Sequence, residues 1–285
     1  MLPSVPDLSP LDAATRRFWR LTGRPVDLGG EHTWLDAPRN AGPDVGDAWV
    51  EQAARALGGR PVHDLPGAGL YADLSVLDGP GFRAADLHPL VRDFYEHTAG
   101  WGMDAWTQWN LLFQPGGELI SRFFGRRLRQ LALPTRPLDV SRGMDSRVVA
   151  LLDGAGAQQG AAWLRTLRAT GEWVFSGCYT VRTLPGAGRP SVHVTFPLEA
   201  GNVQVFLRPR VLAGGALELS SPAGPFGADG AYVTVSEHGR AHAARVPLHE
   251  TFTIFVDDEG VLRTDHSLRL WSATVVRLHY KLTGP

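Results

Sequence analysis

The period of the apolar residues changes near residue 140, and that change constrains the fold of this 285-residue chain more than any motif in it. Beyond residue 171 the period is two, as in a strand with one buried face. Trp173, Phe175, Tyr179 and Val181 share a face in "EWVFSGCYTVRT", as do Val192, Val194, Phe196 and Leu198 in "SVHVTFPL", and Val203, Val205, Leu207 and Val211 in "NVQVFLRPRVL". The turn words "LPGAGRP" and "EAGN" separate these runs, which makes the three an antiparallel meander. Shorter strands are expected in "ALELSS" and "AYVTVSE", on either side of the loop "PAGPFGADG". Pro209 has no N–H to give a ladder, so its run needs an edge or a bulge there. Phe252, Ile254 and Val256 then alternate into "DDEG", where Gly260 can take positive φ, and the last strand puts Val276, Leu278, Tyr280 and Leu282 on one face. At least six antiparallel strands are expected between residues 171 and 282, with no parallel β–α–β unit.

Before residue 140 the spacing is helical. "LDAATRRFWRLTG" runs from Pro10 and Asp12 to Gly23, and "DVGDAWVEQAARALGG" carries Trp49, Ala53, Ala56 and Leu57 on one face until Gly58-Gly59. The Gly- and Pro-rich stretches "RPVDLGGEHTWLDAPRNAGP" and "RPVHDLPGAGLYADLSVLDGPGF" exclude long helices but leave room for short strands. A denser helical block is expected over residues 88–134, with Trp101, Trp106 and Trp109 packing the helices on the sheet or walling an apolar ligand. Its last helix, about residues 118–131, opposes Phe123, Phe124 and Leu128 to an arginine face, which suits either a core helix or one lying on an anionic membrane. One further helix is expected in "GAQQGAAWLRTLRAT", ended by Gly171. The fold class is therefore α+β, with N-terminal helices on a large curled antiparallel sheet or partial barrel. Residues 1–140 form the mainly helical part and 141–285 the β part of one integrated domain.

Composition excludes several function classes. With 28 Lys+Arg against 29 Asp+Glu, no global basic field draws nucleic acid to the chain. Cys178 is the only cysteine, so no intramolecular disulfide forms. The N-terminus lacks the basic start and apolar run of a secretion signal, and no apolar stretch is long enough for a spanning helix, so a cytoplasmic setting is expected.

No motif fixes a reaction. In "LRTDH", Asp265 and His266 pair the residue types of acid–base catalysis, but adjacent strand residues point to opposite faces, so each needs a partner from another strand. His279 is a third candidate in the same group. If the strands curl into a cup, the second faces of several strands bring Arg182, His193, Arg208, Arg277 and His279 toward one space; if the sheet stays open, that face is wet. His238 and His242 are four apart but flank Gly239 in a turn, so neither a metal nor another cofactor is expected. Cys178 sits in an alternating strand without the elbow of a hydrolase nucleophile.

The words "LDVSRGMDSRVV", "HVTFPLEAGN" and "LRTDHSLRLWSATVVRLHYKL" resemble a group of uncharacterised bacterial proteins, over roughly residues 88–282. The resemblance implies a shared fold unit and no particular activity. The function expected first is binding of a mainly apolar small molecule with an acidic group, held by Trp101, Trp106 and Trp109 and by Arg182, His193, Arg208 and Arg277. An enzyme such as a cyclase, isomerase or hydrolase using His266 or His279 is the alternative, and peripheral membrane association is the third.

Overall fold

The computed structural model describes residues 10–40, 46–109, 143–237 and 239–285. In chain order these hold α1 (Pro10–Thr22), β1 (Arg24–Val26), α2 (Val50–Ala56), β2 (Arg60–Val62), α3 (Pro89–Glu96) and β3 (Gly102–Trp109). There follow β4 (Met144–Leu152), β5 (Gln158–Leu167), β6 (Trp173–Thr183), β7 (Pro190–Leu198), β8 (Gly201–Val211) and β9 (Leu217–Ser220). The chain ends with β10 (Gly230–Glu237), β11 (Arg240–Val246), β12 (Leu248–Val256), β13 (Leu262–Leu270) and β14 (Ala273–Thr283). The expected helix over residues 118–131 lies outside the described residues, as do His238 and the side chain of Trp109.

Among the described residues all the ladders are antiparallel and join one sheet of fourteen strands, whose main path runs β2-β4-β5-β6-β7-β8-β9-β12-β13-β14-β3. The sheet curls but does not close: β3 and β4 come within 8 Å between Cα atoms without forming a ladder. The fold is α+β in this broad sense. Nine strands, β6 to β14, fall in the region where at least six were expected. At β8 the sheet branches. Residues 201–206 pair with β10, which carries β11 and β1, and residues 208–211 pair with β9. Gly201 allows this crowding, since a Cβ there would sit 2.2 Å from the carbonyl oxygen of Thr234. Pro209 lies past Leu207, where the pairing with β7 stops, so β8 is an edge on that side and loses no ladder bond there.

Two expectations of helix are corrected. "GAQQGAAWLRTLRAT" holds β5, a strand covered on both sides, so its residues lack the polar alternation that marks a half-exposed strand. Ala162 and Leu164 pack outward against Trp49, just before α2, and against Val50 and Ala53 of α2, while Ala161 and Trp163 pack inward. The block from residue 88 contains only α3 before the chain turns extended. The His88 side chain accepts a hydrogen bond from the Leu90 amide and Pro89 fits the first turn, but the helix ends at His97. In β3, Met103 and Ala105 then alternate with Asp104 and Trp106, and the strand pairs with β14. Both loop-like stretches beginning Arg-Pro-Val open on three-residue strands, β1 and β2.

The helices do not form one layer. α2 lies outside β4–β6, α1 rests on β10 and β11, and α3 packs at the inner side of the curl. The main core is inside, where Leu70, Leu74, Phe82, Val91 and Phe94 meet Leu217, Ile254, Leu262 and Leu282. A smaller outer core joins Trp34 and Leu35 to Phe206 and Tyr232. What the 68–101 segment leaves unfilled inside the curl is the lumen.

Candidate functional site

Strand parity decides which residues reach the lumen. The apolar parity, with Phe175 and Tyr179 of β6, Val194 and Phe196 of β7, Val205 and Leu207 of β8, and Leu278 and Tyr280 of β14, faces inward and encloses a cavity of about 130 Å³. The same parity brings Glu250, Thr264 and His266 in from β12 and β13, and Arg165 in from β5. An apolar cavity thus carries a cation, a carboxylate and an imidazole.

These polar groups are poorly served by the protein. Arg165 is 7% exposed, its Nε is buried without a hydrogen-bond partner, and among the described residues a terminal nitrogen donates only to the thioether sulfur of Met144 at 3.3 Å. No carboxylate of the described residues lies within 4.0 Å of it, and the guanidinium sits near the Trp163 ring, 5.3 Å from its centroid. Burial lowers the pKa of Arg165, against which the Tyr280 and Tyr179 hydroxyls act. Burial pushes the Tyr280 phenol up to about 12 and Tyr179 well above its ordinary value, so both stay neutral donors. His266 lies flat on Phe252, with ring centroids 3.8 Å apart and planes 16° from parallel. Both its ring nitrogens are buried without a hydrogen bond, the nearest carboxylate oxygen being Oε1 of Glu250, 3.8 Å from Nε2.

The opposite parity faces out, so Arg182, His193, Arg208, Arg277 and His279 do not converge as the cup alternative would have them. His193 is buried beneath the 33–40 segment, where Nδ1 meets Thr180 Oγ1 at 2.7 Å and Nε2 meets Gln204 Oε1 at 2.8 Å, and its ring stacks on Phe206. Gln204 passes the network on to the Leu35 carbonyl and to Asn202, which also accepts from Thr234. Arg182 donates to the Asp36 carbonyl at 3.3 Å. Arg208 meets Asp229, which also pairs with Arg189 and accepts from Ser191. His193 and Arg208 thus have protein partners, while Arg182 keeps its Nε buried without one.

Arg277 and His279 lie elsewhere, in an outer groove of about 510 Å³ that they share with Trp106, Gln108, Thr253 and Asp265. Asp265 Oδ1 is 2.7 Å from His279 Nδ1, and Trp106, 53% exposed, leans on the His279 ring at 6.1 Å. Asp265 and His266 point to opposite sides of β13, and Arg263 turns to Asp257 at 2.6 Å instead of to Asp265. Trp101 joins neither place: it is buried under α3, donating to Asp93 Oδ2 at 3.0 Å. Among the described residues no three His, Cys, Asp or Glu side chains gather as a metal ion would need.

No family model and no solved structure matches the chain. The chain is similar to "Uncharacterized membrane protein YndJ" of Bacillus subtilis (strain 168), 28% identical over 219 residues, which is 76% of this chain and 38% of that protein. The chain therefore spans well under half the length of this relative. No helix among the described residues is long and apolar enough to cross a membrane.

Proposed function

We propose that the lumen binds a mainly apolar small molecule carrying an acidic group, with the acid on Arg165 and the apolar body among Trp163, Phe175, Phe196 and Phe252. One observation carries this reading: a permanently charged guanidinium is buried in an apolar cavity with no carboxylate of the described residues within 4.0 Å of it. An unpaired buried charge is strongly unfavourable, and an incoming carboxylate would supply a forked, charge-assisted pair. Arg208 pairs with Asp229, and Arg182, whose Nε is also buried without a partner, lies on the outer parity and donates to the Asp36 carbonyl, so neither offers its charge to the lumen. The test is native mass spectrometry of protein purified from its own host, beside the Arg165→Met variant. The reading expects a co-purifying acid in the parent that the variant lacks.

The Asp265–His279 pair favours a second reading, an enzyme using His279 as a base in the outer groove. The carboxylate orients the imidazole through Nδ1 and leaves Nε2 to work on a substrate. Turnover of a candidate substrate that disappears in His279→Gln and survives in Arg165→Met would favour it over the lumen. Peripheral membrane association is supported by the relative's name as a membrane protein and by exposed Phe18, Leu21 and Trp271. Sedimentation with anionic vesicles that weakens as salt rises would speak for it.

A further inference from the structure

We infer that the lumen's ligand is a single-ring aromatic carboxylic acid bearing a second polar group on the ring, such as a hydroxybenzoate, and not a fatty acid. The inference rests on the acid-binding reading of Arg165 and narrows it by size, wall chemistry and a second unserved polar group.

Size comes first. A dry, apolar cavity of about 150 Å³ takes up benzene. The lumen here, at about 130 Å³, is of that order, which makes a single ring the largest apolar body it takes and leaves no space for a long acyl chain. The walls favour the same shape. Trp163 meets Phe175 at a tilt and Phe175 meets Phe196 edge to face, with centroids 5.4 Å apart at each step, and Phe252 forms part of another wall beneath His266. A flat ring meets such walls in the offset and edge-on contacts that aromatic pairs prefer, which a flexible chain cannot do without losing its conformational freedom.

The second polar group follows from His266. Its two nitrogens are buried on the lumen side of β13 with no hydrogen bond, while Arg165 enters from β5, several strands away in the sheet order. A ligand that brings a carboxylate to Arg165 and a hydroxyl to His266 would satisfy both residues at once. A plain hydrocarbon acid leaves His266 as it is.

Calorimetric titration of the full chain with para-hydroxybenzoate, benzoate, para-cresol and dodecanoate tests this. Para-hydroxybenzoate should bind tightest, with benzoate and para-cresol each weaker by at least about tenfold, because each leaves one buried polar group unserved. Dodecanoate should not bind. Arg165→Met should reduce para-hydroxybenzoate to the level of para-cresol and leave para-cresol unchanged, which also shows that the variant's lumen is intact. His266→Phe should erase the difference between para-hydroxybenzoate and benzoate. If dodecanoate binds tightest and depends on Arg165, the single-ring inference fails while the acid-binding reading stands. Para-cresol binding as well as the acids, with Arg165→Met making no difference, overturns the acid-binding reading and the inference with it. Binding of none of the four overturns the inference alone, while co-purification of a different acid that Arg165→Met abolishes would still uphold the broader reading.

Discussion

His279 lies directly opposite Asp265 in the β13–β14 ladder, and the two side chains meet at 2.7 Å on the outer face of the sheet. Both remain substantially open to water, with side chains 39% and 63% exposed. Exposed pairs of this kind contribute little, so Asp265→Asn should change the unfolding free energy by less than about 1 kcal/mol. Urea denaturation of the variant checks this. A loss of several kcal/mol would mean that Asp265 anchors the sheet through more than the observed pair.

The lumen residues should behave in the opposite way to an ordinary core. His266 and Arg165 are buried with unserved polar atoms, so replacing them with apolar groups removes a penalty instead of a contact. His266→Phe and Arg165→Met should therefore leave stability level or raise it by about 1 kcal/mol, measured on ligand-free protein as a shift of the urea midpoint. Such a gain is what a site that trades stability for binding would show. Destabilisation of His266→Phe by more than about 2 kcal/mol would instead assign His266 a structural partner, with Glu250 the first candidate.

How far the site could be read from sequence follows from which strands alternate. β6, β7, β8 and β12–β14 expose one parity or cover it with polar networks, so their period of two is plain in the sequence. From the same alternation Asp265 and His266 were expected on opposite faces. β5 is buried on both faces, and "AAWLRTL" reads equally well as a buried helix, which hid Arg165 from its place beside Trp163. The side of the sheet that would become the lumen was not legible either. Alternation says that Phe175 and Arg182 face opposite ways, but the direction of curl is set by long-range packing of the 68–101 segment, and that carries no local signature. Helical spacing would gather Trp101 and Trp106 into one cluster, yet one is buried under α3 and the other lies in the outer groove.

Cys178 provides a probe of opening. It is 1% exposed in the outer core of β5, β6 and α2, and burial pushes its thiol up to about 12. Neither access nor thiolate is available in the folded chain. Iodoacetamide at neutral pH should leave the native protein unmodified for as long as it stays folded and alkylate it promptly in urea, as intact-mass measurement would show. Fast labelling without denaturant would mean that α2 opens from the sheet on its own.

The last prediction concerns acid. Burial is the largest influence on His193 and, with Arg182 nearby, lowers its pKa from 6.5 to about 3, against a smaller opposing effect of the Gln204 hydrogen bond. The folded state therefore keeps this imidazole neutral at pH values where the unfolded chain protonates it. Between about pH 6.5 and 3 the unfolded state binds the extra proton, so stability is fully present above 6.5 and declines as pH falls through that window. The decline attributable to this one group approaches about 1.4 kcal/mol per pH unit at the steepest. His193→Gln removes the titration, though it also disturbs the bonds to Thr180 and Gln204, so its stability at neutral pH should drop by about 1–3 kcal/mol. The comparison that matters is the slope: urea midpoints measured from pH 7 to pH 4 should fall less steeply for His193→Gln than for the parent. Equal slopes would place the acid sensitivity elsewhere and show that His193 titrates in the folded chain much as it does in water.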